Sequence, residues 1–154
     1  MNRRDIIGAG VFVVAACTLR RVESAELHTE EDAQAMVERA ISMFKSEGAE
    51  AVIASVNAAD PAFRDGELYI FMVGPNGRSV ANAANIARVG LDVASIVDVD
   101  GNPYGRDILE LASAHGTWVQ YKIKNPASGK IEPKMSWVKR VDGYIFGCGI
   151  YRPN

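Results

Sequence analysis

The stretch GTWVQYKIKNPASGKIEPKMSWVKRVDGYIFGCGIY, residues 116–151, decides the fold. Its apolar and aromatic runs, separated by turn-forming residues, predict three successive β-strands at residues 117–124, 134–141 and 144–151. The dipeptide Asp142-Gly143 lies between the last two runs, and both residue types tolerate the positive φ angles of a tight turn. The last two strands are therefore predicted to form a β-hairpin.

Alternation along the first of these strands divides its side chains into two sets. Successive residues of a strand point to opposite faces of the sheet. Val119, Tyr121 and Ile123 are therefore expected on one face, and Trp118 on the other.

The upstream sequence predicts helices and two further strands. Thr29 and three acidic residues suit the start of a long helix, apolar residues recur on one helical face across residues 33–44, and Gly48 suits its end. Asn102 and Pro103 suit the cap and first position of a later helix. The remaining elements are a short helix at 49–56, strands at 67–73 and 78–81, an irregular segment with a helical turn at 82–99, and the later helix at 103–115. The order predicts an α+β fold with five strands in a mainly antiparallel sheet and a long N-terminal helix.

Composition and charge narrow the classes of function. The 154 residues suit one domain, and a formal net charge of -2 offers no basic surface for nucleic acid. Neither His28 nor His115 has a neighbouring Cys or His, so no metal site is predicted, and no cofactor motif is present. No serine has the His and Asp setting of a nucleophile, and no convincing acid–base pair is evident. Catalysis is therefore not predicted.

The N-terminus predicts export. Arg3 and Arg4 precede an apolar run at residues 6–16, which is shorter than a membrane span and typical of a secretory leader. The run ends at Cys17 after small residues, so lipidation of Cys17 and plain cleavage near Ser24 both remain open. We predict a leader and short linker over residues 1–24, a single domain over residues 25–154, and a periplasmic location that includes a lipid anchor if Cys17 is modified.

A set of short motifs follows in order from about residue 29 to the C-terminus. They are Asp65-Gly66-Glu67-Leu68-Tyr69-Ile70-Phe71, Asn76-Gly77, Gly90, Asp100-Gly101, Trp118-Val119-Gln120-Tyr121, Asn125-Pro126, Gly129-Lys130, Pro133-Lys134, Trp137-Val138 and Gly147-Cys148-Gly149-Ile150-Tyr151. The ordered set resembles the single Cache domain of bacterial extracytoplasmic sensors, in its PAS-like form. The resemblance implies a long helix packed on a five-stranded sheet, and a pocket for a small metabolite between the sheet and the segment that crosses it.

The resemblance also implies the site residues. Tyr121 and Lys134 take the positions of the main ligand contacts, with the Lys134 ammonium as counter-charge for a short organic acid. Asn82 stands where the family commonly has the histidine of a His-Pro pair, and Ile123 where it commonly has tryptophan. Two further aromatic residues complete the predicted ligand-binding set, Trp118 and Phe71.

Less specific interpretations stay open at this point. Tyr121 can be a core tyrosine and Lys134 a solvated strand-end lysine, in which case the chain is an accessory protein that acts by protein contact without a ligand. A homodimer along the apolar stripe of residues 33–44 belongs to that alternative. As a sensor, the chain is expected to be a free-standing exported domain that passes its ligand state to a membrane receptor or kinase partner.

Overall fold

A computed structural model describes residues 27–152, and the predicted leader with Cys17 lies outside them. The elements come in the predicted order of helices, strands, crossing segment and strands. They are α1 (Glu30–Glu47), α2 (Ala49–Asn57), β1 (Arg64–Asp65), β2 (Leu68–Val73), β3 (Ser79–Asn82), two short 3-10 turns (Ile86–Arg88 and Val93–Ser95), α3 (Tyr104–Leu111), β4 (Thr117–Lys124), β5 (Ile131–Val141) and β6 (Tyr144–Tyr151). The α+β class is therefore confirmed.

The strands form one antiparallel sheet. The order is β1-β2-β6-β5-β4. Strand β2 also pairs with β3 through residues 71–73, whereas β1 pairs with β2 only at Leu68 and Tyr69. Five strands thus make the body of the sheet, as predicted, and the two-residue β1 is an addition that the sequence pattern did not indicate. The turn at Asp142 takes a φ of 49° and Gly143 a φ of 81°, which agrees with the predicted hairpin.

Helix α1 packs against one face of the sheet. Thr29 Oγ1 accepts a hydrogen bond from Asp32 N at 3.2 Å, and the Asp32 carboxylate accepts from Thr29 N at 2.7 Å, so the start of the helix is capped reciprocally. The apolar stripe that the spacing predicts is buried against the chain's own strands; its buried members are Ala33, Met36, Val37, Ala40 and Ile41. That stripe is therefore covered within one molecule, and a homodimer through the N-terminal helix stays a prediction that would have to use its other face.

The other face of the sheet is covered by the segment between β3 and β4, residues 83–116, which we call the covering segment. Its two 3-10 turns replace the single helical turn expected at 82–99. Gly105 in α3 permits a close approach, since a Cβ there would overlap the Val93 carbonyl. The covering segment therefore packs tightly at α3 and leaves space elsewhere.

Two element boundaries differ from the prediction. Helix α3 ends at Leu111, because Arg140 donates hydrogen bonds to the carbonyl oxygens of Ala112 at 3.1 Å and Leu109 at 2.5 Å. Asn102 does not cap α3 through its side chain, which donates to Asp98 Oδ2 at 3.0 Å instead. Strand β5 begins at Ile131 rather than at residue 134, since residues 131–133 still pair with β4.

None of the helices between Leu27 and Arg152 combines the length and the hydropathy that a bilayer span requires.

Candidate functional site

A cavity lies between the sheet and the covering segment. It holds about 450 Å³ of empty space counted out to its open mouth. Its enclosed part has room for only about three water-sized groups. The lining residues are Tyr69, Phe71, Val73, Ser79, Asn82, Arg88, Val93, Ile96, Tyr104, Ile108, Tyr121 and Ile123. An apolar and aromatic wall with a few polar groups is the usual composition of a small-molecule site.

Three neighbouring strands place a lysine among tyrosines beside this cavity. Lys134 on β5 pairs with Tyr121 on β4 and with Tyr151 on β6, so the three side chains share one face of the sheet. Lys134 is 2% exposed. Its Nζ lies 3.9 Å from the centroid of the Tyr69 ring, 5.1 Å from that of Tyr151, 5.6 Å from that of Phe71 and 5.9 Å from that of Tyr121. We call these four rings the aromatic cage; each is within the range of a cation–π contact.

Glycine on β6 makes room for this arrangement. A Cβ at Gly149 would overlap Lys134 Cε and Ser136 Oγ, and one at Gly147 would overlap the Phe71 ring. The Gly-x-Gly motif therefore has a steric reason: it lets Lys134 and Phe71 lie across the surface of the last strand.

Lys134 is a cation whose partners are rings and hydroxyls. Burial lowers its pKa, but the nearby hydroxyl groups of Tyr121, Tyr69 and Tyr151 outweigh burial and hold the pKa above its ordinary value. Among the described residues the ion pairs involve other side chains, and no carboxylate lies within ion-pair distance of Lys134. The charge of Lys134 is thus uncompensated by an acidic residue there.

Tyr121 is held between strand β5 of the sheet and helix α3 of the covering segment. Its hydroxyl hydrogen-bonds Ser136 Oγ at 2.8 Å, and its ring stacks on Tyr104 of α3 with centroids 4.1 Å apart. Burial raises the pKa of Tyr121 to about 12. Its hydroxyl is therefore neutral at physiological pH and able to donate a hydrogen bond.

Asn82 closes one end of the cavity from the end of β3. Its Oδ1 accepts hydrogen bonds from Ala84 N at 3.0 Å and Asn85 N at 2.8 Å, which holds the start of the covering segment in a turn. The Nδ2 group makes no hydrogen bond to another described residue. The amide therefore has a structural role through its oxygen, and Asn82 is also a lining residue of the cavity.

The predicted site residues are brought together with one exception. Tyr121, Asn82, Ile123 and Phe71 line the cavity, and Lys134 lies behind three of its aromatic walls without lining it. Trp118 is on the opposite face, where its ring centroid is 5.3 Å from that of Trp137 in the cluster packed by α1. The prediction that Trp118 contacts the ligand is therefore wrong, because side chains alternate along β4 and that of Trp118 lies on the face opposite Tyr121.

Arg88 is a lining residue that the sequence interpretation missed. It lies in the first 3-10 turn of the covering segment, is half-buried, and donates from Nη2 to the Tyr104 hydroxyl at 2.8 Å. It is the only basic residue between positions 82 and 99, in a stretch otherwise low in charge. That isolation was the available signal.

Three other chemically capable side chains, those of Cys148, Glu67 and Glu132, have structural surroundings. Burial raises the pKa of the Cys148 thiol to about 12, so it is not a thiolate nucleophile at neutral pH. Glu67 and Glu132 converge, but on the same Asn125 side-chain amide, at 2.9 and 2.7 Å, which links the β4–β5 loop to β2. Between residues 27 and 152 no cluster of His, Cys, Asp and Glu has the makings of a metal site.

Comparisons with known proteins agree on one kind of domain. The family model described as Single Cache domain 2 matches residues 14–152. The sensor histidine kinase MctS of Rhizobium johnstonii is 27% identical over 107 residues, which make up 68% of this chain but only 23% of the kinase.

Solved structures give the same fold. A methyl-accepting chemotaxis protein from Vibrio parahaemolyticus superposes with a TM-score of 0.66 at 14% identity, over 79% of this chain and 86% of that one. The periplasmic sensor domain of a chemotaxis protein gives 0.59 at 22% identity, over 79% and 88%. A Cache chemosensory domain solved to explain carboxylic acid recognition gives 0.58 at 16% identity, over 79% and 86%.

Proposed function

Because this chain belongs to the single Cache domain 2 family, we propose that it is an extracytoplasmic sensor domain that binds a small organic anion in the cavity beneath the covering segment. Cache domains are extracytoplasmic or periplasmic sensors, and this membership sets the general role. The chemical class of the ligand, the residues that contact it and the signalling partner are what we propose beyond that role.

The observation that carries the proposal is the buried charge of Lys134. Placing an ammonium in a protein interior costs several kcal/mol unless an opposite charge or hydrogen bonds compensate it. The aromatic cage and the tyrosine hydroxyls offset this cost, but no carboxylate among the described residues pairs with the ammonium. An anion bound in the adjacent cavity would supply the missing negative charge.

The cavity suggests the size and chemistry of that anion. Its enclosed part has the size of one carboxylate group and its open mouth has room for the carbon chain, so together they suit a short carboxylate of about two to four carbons. The neutral hydroxyl of Tyr121 and the side-chain amide of Asn82 are donors for the carboxylate, and Phe71 and Ile123 are apolar contacts for its carbon chain. One structural neighbour is described as recognising carboxylic acids, which is consistent with this assignment.

Location and partner follow from the same role. We propose that residues 1–24 direct export, by plain cleavage or by lipidation of Cys17, and that the domain reports its ligand state to a membrane receptor or kinase. The kinase relative supports the second point, since the matched part is under a quarter of a signalling protein. Signalling requires two states of the domain that differ in affinity for the ligand.

The test is a thermal-unfolding panel of acetate, propionate and butyrate, with ethylamine and glycerol as non-anionic compounds. A carboxylate at about 100 times its dissociation constant should stabilise the protein by about 2.7 kcal/mol. Lys134→Met should reduce this stabilisation sharply, while Lys130→Met, an exposed lysine before the same strand, should leave it unchanged. Equal stabilisation of Lys134→Met and wild type would refute the role given to Lys134.

The ligand-free accessory role remains the competing function. It is favoured by one observation: the aromatic cage already surrounds the amine with the protein's own side chains. Under this alternative no carboxylate stabilises the wild type, and Lys134→Met, which keeps the length of the side chain and removes the charge, is more stable than the wild type.

A further inference from the structure

The one charged side chain that lines the cavity, among the described residues, is Arg88. It enters from the covering segment, whereas Lys134 lies on the sheet behind Tyr69, Phe71 and Tyr121. The two cations therefore approach the same space from opposite layers. Both act on the Tyr69 hydroxyl: burial raises its pKa, but the charge of Lys134 and, more weakly, that of Arg88 bring it below its ordinary value.

Building on the proposed function, we propose that Arg88 makes the direct ion pair with the bound carboxylate, and that this contact fastens the covering segment over the ligand. Lys134 then supplies positive potential from behind the aromatic cage and orients the tyrosine hydroxyls. Arg88 is the residue that distinguishes an anion from a neutral ligand of the same shape.

The chemistry of the guanidinium supports this assignment. Arginine has five N–H donors in a planar fork that matches the two oxygens of a carboxylate. Only Nη2 of Arg88 is engaged by a described residue, the Tyr104 hydroxyl at 2.8 Å. The other donors have no protein acceptor among residues 27–152, and no carboxylate there pairs with the side chain.

The position of Arg88 in the fold explains why an ion pair with the ligand would hold the covering segment in place. Tyr104, which accepts from Arg88, stacks on Tyr121 of the sheet, so Arg88 is linked through Tyr104 to strand β4. The turn that carries Arg88 is otherwise exposed, since Asn85, Ile86, Ala87 and Val89 are all on the surface. A ligand that binds Arg88 therefore restrains a turn whose other side chains are exposed and make few buried contacts.

The test uses three short carboxylates, acetate, propionate and butyrate, and their neutral isosteres acetamide, propionamide and butyramide. Calorimetry gives the preference of each variant for the carboxylate over its amide. Arg88→Met should lower that preference by about tenfold, the loss expected for one partly exposed charged contact, while amide binding stays within about twofold. Arg88→Lys should restore part of it, and Arg106→Met, an exposed arginine on α3, should behave as wild type.

Hydrogen exchange of residues 83–103 supplies the second readout. A saturating carboxylate should slow exchange there in the wild type and not in Arg88→Met. An unchanged carboxylate preference in Arg88→Met, with the wild type still binding carboxylates, overturns the role of Arg88 and leaves the proposed function standing. Absence of any carboxylate binding by the wild type overturns both, and is seen without any variant.

Discussion

At the scale of single residues, the site depends on what is missing from β6 as much as on what is present. Gly147 pairs with Phe71 across the β2–β6 ladder, and Gly149 lies beneath Lys134. Any side chain at these positions would occupy the space of a cavity wall or of the buried amine. The composition of the last strand is therefore part of the binding site.

We predict that Gly147→Ala costs about 1–3 kcal/mol of unfolding free energy, because the new methyl group overlaps the Phe71 ring. It should also weaken carboxylate binding, since Phe71 lines the cavity. Chemical denaturation and calorimetry measure the two effects.

Gly77→Ala is the matched control for that change. Gly77 has a φ of 77° in the β2–β3 turn and open space around its Cβ position, so alanine there should cost about 1 kcal/mol through backbone strain alone. Its carboxylate affinity should equal that of the wild type. Full retention of affinity in Gly147→Ala would contradict the placement of Phe71 in the site.

The sequence could predict some of these residues and not others. Strand alternation alone puts Tyr121 and Ile123 on one face and Trp118 on the other, and the resemblance points to Lys134. Arg88 could not be assigned to the site from sequence, because its side chain is positioned by a hydrogen bond to Tyr104, 16 positions away, and no local pattern predicts that contact.

At the scale of elements, the covering segment is attached to the sheet by Asp98. Its Oδ1 accepts from Asp100 N and Asn102 N, both at 2.9 Å, and its Oδ2 accepts from Asn102 Nδ2 at 3.0 Å and from Lys122 N on β4 at 3.2 Å. Hydrogen bonds, foremost those from Asn102, outweigh desolvation and lower the pKa of Asp98 to about 2. The carboxylate is therefore the form that holds the loop.

We predict a pH-dependent loss of this attachment. A carboxylate whose pKa falls from 3.8 unfolded to about 2 folded adds stability that is complete above about pH 4 and is lost as pH falls toward 2. The difference in melting temperature between wild type and Asp98→Asn should be constant from pH 7 to about pH 5 and then narrow toward pH 2. A difference that stays constant across the whole range would contradict the charged attachment.

Element boundaries show where local signals are sufficient. Helix α1 was predictable because its cap, its apolar stripe and Gly48 are all encoded within it. The end of α3 was not, because Arg140 from β5 binds its last carbonyl groups across 28 and 31 positions. The start of β5 was obscured by Pro133, which is tolerated because residues 131–133 lie beyond the last β5–β6 pair and Pro133 takes part there only as an acceptor, from Arg152 N at 2.8 Å.

At the scale of the whole molecule, the sheet separates a face that packs against helices from a face that borders the cavity. One face carries helices α1 and α2, and the other carries the aromatic cage and the covering segment. The architecture was predictable because every element pattern and the family resemblance agree on it. The content of the cavity was not, since it depends on which long-range pairs face each other.

The central claim is that a small organic anion belongs between Arg88 and the aromatic cage. The most direct measurement is the crystal structure of the full chain purified without added ligand and then with a short carboxylate. We predict density for a carboxylate in the cavity, with its oxygens within hydrogen-bond distance of Arg88 and its carbon chain against Phe71 and Ile123. A cavity that stays empty with a short carboxylate present, or is filled by the protein's own side chains, would contradict the account.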